Sequence, residues 1–106
     1  MAWIILVCAG LMEIVWAFFM KKSAGFTLPW PTAVMVVAML ASVALLSVSM
    51  KTLPLGTAYM VWTGIGAVGA FVAGVAFLGE AATPARVVAA ALIVAGIVMM
   101  KFSSAD

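Results

Sequence analysis

AWIILVCAGLMEIVWAFFMKK (Ala2–Lys22) decides the fold. From position 2 to position 20 it carries one charged side chain, Glu13, and it stops at Lys21 and Lys22. An apolar run of this length, rising 1.5 Å per residue as a helix, crosses a hydrocarbon core of about 30 Å. The pattern then repeats along the chain. Residues 23–50 hold no charge and Lys51 follows; residues 52–79 hold none and Glu80 and Arg86 follow; residues 87–100 hold none before Lys101. The charges punctuate the sequence into four expected membrane helices at about 3–20, 32–50, 55–78 and 84–102. The fourth is short between its charges, but the long stems of Arg86 and Lys101 can carry their heads to the two interfaces.

Composition agrees. Of 106 residues, 69% are hydrophobic and 8% are charged, whereas a soluble domain is about 25% charged. So little polar surface excludes a water-soluble fold, and so much apolar surface excludes disorder. The expectation is an all-α membrane protein, one four-helix domain over residues 1–106, with loops of about 4 to 11 residues and no internal repeat. The breaks carry helix-end chemistry: Pro29 and Pro31 flank an interfacial Trp30 before the second helix, Pro54 sits in the first turn of the third, and Thr83-Pro84 reads as an N-cap with proline at the first helical position. Gly25 and Gly79 mark connections. Residues 1–20 do not read as a signal peptide, because the basic residues follow the apolar run and a glutamate interrupts it.

Four spans put both termini on one side, together with Lys51 and Lys101; Lys21, Lys22 and Arg86 lie opposite. Two basic residues against three is almost no bias for a rule that works on the difference. Such a chain either takes one weakly biased orientation or inserts both ways round, and the second is expected because two opposed copies supply a midplane site that one chain lacks.

Glu13 is the charge out of place. Near mid-membrane, an ionisable group costs of order 2.5–3.5 kcal/mol and marks function by default. Low dielectric disfavours its charged form, so the carboxyl can exchange protons, and when ionised it can bind a cation. No Lys or Arg lies inside an apolar run to pair with it. Gly10, Trp16 and Ala17 share its helical face at i±3 and i+4. Gly10 leaves room beside the carboxylate, and Trp16 offers an indole face. The third helix supplies Tyr59 and Trp62, followed by Thr63, and the second supplies Ser42 near mid-depth. Aromatic faces attract desolvated cations by about 2 kcal/mol, and a planar guanidinium-type cation can meet a carboxylate with two parallel N–H bonds. The structural alternatives are packing or lipid contact for the aromatics and close helix approach for Ser42. Gly64 and Gly66 read as a hinge or as packing positions in the third helix, and Ala89 and Gly96 as a small-residue seam on the fourth. A four-helix chain with one acid lacks the inverted repeat that larger transporters use. Two copies inserted in opposite senses supply it, and their two Glu13 groups then titrate as a coupled pair.

Three segments carry a resemblance over essentially the whole chain: AWIILVCAGLMEIVWAFFMK (Ala2–Lys21), KTLPLGTAYMVWTGIGAVGA (Lys51–Ala70) and GEAATPARVVAAALIVAGIVMMK (Gly79–Lys101). The sequence resembles the small multidrug resistance transporters, in their guanidinium-exporter branch. Glu13 matches the family's membrane carboxylate, Tyr59 and Trp62 its aromatic pair, and Trp16, Ala17, Lys21 and the Lys51–Pro54 segment match the guanidinium branch. Lys22 and Trp30 depart from the pattern, both around the first loop and outside the site. The resemblance implies an antiparallel homodimer in the bacterial inner membrane that exchanges protons for guanidinium. Gly10, Trp16, Ser42 and Trp62 would surround the cation and position Glu13, and Tyr59 would couple the access states.

Two other readings are distinguishable. Export of quaternary ammonium antiseptics uses the same aromatic chemistry, but Trp16 favours a smaller, planar cation. A structural or assembly subunit of a membrane complex has no use for Glu13 amid three aromatics. An enzyme is not expected, because the chain has no histidine, no metal-ligand cluster and no nucleophile–base pair. No cofactor, metal or nucleic-acid partner is expected either, and lone Cys8 reads as packing.

Overall fold

The computed structural model describes residues 1–103; Asp106, counted among the charges, lies outside the described residues. The chain forms four helices, α1 (Ala2–Lys22), α2 (Pro29–Ser49), α3 (Leu55–Phe77) and α4 (Pro84–Ser103). All four are long and apolar enough to cross a membrane, with mean hydropathies of 2.2, 2.2, 1.8 and 2.0 over their best windows. Among the described residues there is no strand.

The helix ends differ from the sequence-based expectation where end chemistry is permissive. Lys21 and Lys22 form the last turn of α1 and do not follow it, because cations are favourable beside the negative end of the helix dipole. The first turn of α2 takes in Pro29, Trp30 and Pro31, since the first N–H groups of a helix have no intrahelical partner for proline to remove. Pro54 stands one residue outside α3, in extended conformation at the N-cap. Thr83 caps α4 as expected: its hydroxyl accepts the Arg86 N–H at 3.3 Å. In the first connection Ala24, Gly25 and Phe26 have φ of 51°, 73° and 68°, a left-handed run that only glycine adopts without strain. Buried Ser23 stabilises the turn: its hydroxyl donates to the Met20 carbonyl at 2.7 Å and accepts the Phe26 N–H at 3.1 Å.

In the helix packing α1 lies between α2 and α3, and α3 also carries α4. The core is Leu6, Ala9, Leu46, Leu53, Ala58, Val61 and Trp62. No backbone of α1 or α2 packs closely on α4, and no residue of α4 is buried. The Lys101 ammonium does reach back to α1, 5.0 Å above the Trp3 ring. The protomer is a slab, 43 × 34 × 16 Å, only one to two helix diameters thick. A slab this thin encloses nothing by itself, so every groove in it opens at a surface.

Candidate functional site

Glu13 lies at the middle of α1 and Gly66 at the middle of α3. The two meet: the Glu13 carboxyl rests against the α3 backbone in the space a Cβ at position 66 would occupy. Glu13 Oε1 is buried there and has no hydrogen-bond partner. An acceptor left in this condition loses its hydration without replacement, so the carboxyl is set up to take a proton or a donor-bearing cation.

The polar groups around it point elsewhere. The Ser42 hydroxyl donates to the Ala9 carbonyl at 2.7 Å, joining α2 to α1. The Trp62 indole N–H donates to Ser42 Oγ at 3.0 Å, joining α3 to α2. Ser42 is fully buried and Trp62 nearly so. One relay thus ties three helices about one helical turn from the Glu13–Gly66 contact and holds the Trp62 ring. Tyr59 stands beside that ring, centroids 5.5 Å apart and planes at 44°, and is half exposed. The Trp16 ring packs against the core cluster, while its buried Nε1 has no partner. An unmet acceptor on Glu13 and an unmet donor on Trp16 therefore lie one helical turn apart on the same face.

Gly10 does not leave open space beside the carboxyl, as its smallness had suggested. A Cβ at Gly10 would meet Ile65 Cγ2 and Cβ at 2.7 and 2.8 Å, so the glycine lets α3 close on α1. Gly64 and Gly66, read as a possible hinge, lie within an unbroken helix. Each seats a neighbour: Gly66 takes Glu13, and Gly64 takes Ile97 and Ile93 of α4. Thr63 is exposed, away from the cluster. Ala89 and Gly96 are exposed on α4, and the space beside Gly96 is open. Two participants escaped the sequence reading. The Ala9 carbonyl carries no side-chain signal. The Gly66 seat did have one, a glycine at the same depth as the acid on another helix.

Comparison with known proteins gives the family. A family model described as Small Multidrug Resistance protein matches residues 1–93. A curated relative from Citrobacter freundii, named guanidinium exporter, is 54% identical over 104 residues, covering 98% of this chain and 99% of that protein. Proteins of the same name from Salmonella typhimurium (strain LT2) and Escherichia coli (strain K12) are each 55% identical over 104 residues, with the same coverage.

Proposed function

The chain belongs to the small multidrug resistance family, it is a multi-pass protein of the bacterial inner membrane, and we propose that it exports guanidinium in exchange for protons. The observation that carries this reading is the buried, unpartnered Glu13 oxygen at mid-membrane, with the Trp16 indole one helical turn along the same face of α1. A guanidinium brings parallel N–H donors for the carboxylate and a flat cationic face for the indoles. The names of the relatives support that substrate.

The cycle follows from competition. A proton and a guanidinium ion seek the same carboxylate; protonation removes the charge that holds the cation, and cation binding requires the proton to leave. Each shifts the access equilibrium only through its differential affinity for the two states. Trp16, Ser42 and Trp62 shape and position the site around Glu13, Gly10 acts only by letting α3 close on α1, and Tyr59, half exposed, couples the site to the change of access.

The working unit is an antiparallel homodimer. Its support is the thin protomer, the fully unburied α4, the seam of Ala89 and Gly96, and the two-against-three distribution of basic residues. The test is charge movement in proteoliposomes on a supported membrane. Guanidinium is expected to drive currents that a large polyaromatic cation does not, and Glu13→Gln is expected to abolish both cation and proton movement. Equal responses to both cations would make the protein a multidrug exporter; currents persisting in Glu13→Gln would remove the mechanism.

A further inference from the structure

The face of α1 that points away from the site has its own construction. Val15 is two residues from Glu13, which at 100° per residue puts it on the opposite side of the helix. It forms a ridge between two open apolar grooves. One, of about 400 Å³, runs between α1 and α3 and is lined by Val15, Phe18, Phe19 and Phe77 among others. The second, of about 350 Å³, runs between α1 and α2 and is lined by Val15, Met12, Trp30 and Val37 among others. Both grooves run toward the side of the membrane where α1 ends, α2 begins and α3 ends.

Charge gathers at that end. The Lys22 ammonium stands 5.6 Å from the centre of the Phe18 ring, over the mouth of the first groove. Phe18 and Ala73 also line a small cleft that contains Lys21 and Glu80. The Glu80 carboxyl is folded back on Gly74, where a Cβ would collide with it. With Arg86 in the first turn of α4 on the same side, three basic side chains stand there against Glu80, an excess of positive charge. Trp30, three-quarters exposed, flanks the second groove at the depth where indoles favour the headgroup layer.

We propose that this face binds an anionic phospholipid, one acyl chain in each groove beside Val15 and the phosphodiester against Lys21 and Lys22. Two chains leaving one glycerol can straddle a ridge one side chain wide. A second protein helix, 10–12 Å across, cannot enter both grooves at once. An anionic phosphodiester meets this excess of positive charge, and a zwitterionic headgroup does not. The site is distinct from the transport site, because its two grooves meet at Val15, on the side of α1 opposite Glu13.

The full-length protein, reconstituted in equal parts phosphatidylglycerol and phosphatidylcholine, provides the test. Native mass spectrometry after extraction is expected to show phosphatidylglycerol retained in preference. Lys22→Gln should lower that retention about fivefold, the factor one surface lysine contributes, while Lys22→Arg keeps it and both variants still bind guanidinium. Equal retention of the two lipids, or unchanged retention in Lys22→Gln, overturns the proposal. A benzoylphenylalanine photoprobe replacing Phe77 is expected to cross-link to phosphatidylglycerol; cross-linking to a second copy of the protein would make this face a protein interface and refute it.

Discussion

Gly66→Ala separates a carboxyl seat from a simple hinge or packing glycine. A methyl group at position 66 would occupy the space now held by the Glu13 carboxyl. The colliding atoms are the free end of a flexible side chain, so Glu13, and not the α3 backbone, gives way. Swinging the carboxyl to a poorer rotamer costs about 0.5–1.5 kcal/mol, and alanine repays about 1 kcal/mol in helix propensity. Stability should therefore change by about 1 kcal/mol or less. Binding should change far more. To use its seat, the carboxyl would have to overpack against the new methyl at about 1–3 kcal/mol, which weakens guanidinium about 5- to 150-fold. Gly10→Ala is the control, because its methyl would meet the branched end of Ile65, including Cβ at 2.8 Å, which cannot swing clear. That variant should lose about 1–3 kcal/mol of stability with the carboxyl undisturbed. The assays are tryptophan-fluorescence titration with guanidinium and denaturant unfolding of the purified protein, run on both variants. If Gly66→Ala binds guanidinium as the parent does, or if its loss tracks unfolding as in Gly10→Ala, the seat has no functional meaning.

Other outcomes follow from the same geometry. Ser42→Ala strands the Trp62 N–H and frees the Ala9 carbonyl; it should cost about 0.6–1.7 kcal/mol, the range of such bonds in membranes, and in a double-mutant cycle with Trp62→Phe the two losses should fall short of additivity. Guanidinium affinity should rise with pH across the range in which Glu13 titrates, by at most about tenfold per unit for each proton displaced, and fall as acid refills the carboxylate; an affinity flat across pH 5 to 9 would exclude competition. Gly96→Leu places its side chain in open space within the protomer and keeps a strong helix former on α4, so the fold should survive while disulfide or fluorescence-transfer measurements in bilayers show dimer loss. Cysteine tags on the termini should label from both sides of the membrane; labelling from one side alone would remove the antiparallel arrangement.

The four helices were legible because almost every charge marks a helix end, and a membrane permits few alternatives to a helix between such marks. Boundaries shifted by more than one residue only where the residues tolerate either state: Lys21 and Lys22 at a C-terminus, Pro29 and Pro31 in a first turn. The candidate site was legible at Glu13, Trp16 and Trp62 because acid and indole are out of place at mid-membrane. Its wiring was not. That Ser42 serves as the relay between Trp62 and the Ala9 carbonyl depends on helix rotations that periodicity leaves open when all sides of each helix are apolar. The same lack of contrast hid what the glycines receive. A small residue announces a close approach without naming the visitor, so the space beside Gly10 was assigned to a ligand when Ile65 fills it.

The glycines of α3 also show how a site this small can sense more than its own occupancy. Gly64 and Gly66 are two residues apart and so face nearly opposite directions. Gly66 holds the Glu13 carboxyl of α1, and Gly64, at the same level, holds Ile97 and Ile93 of α4. Close-packed seats of this kind accommodate discrete rearrangement and resist gradual deformation. A rotation of α3 that opens the carboxyl seat must therefore also disturb the seat of α4. That helix has no other helix of its own protomer packed along it, and its exposed seam is where the second copy is proposed to dock. Glu13 is thus one helix away from the proposed dimer contact, and α3 is the element through which that proposal would couple the two.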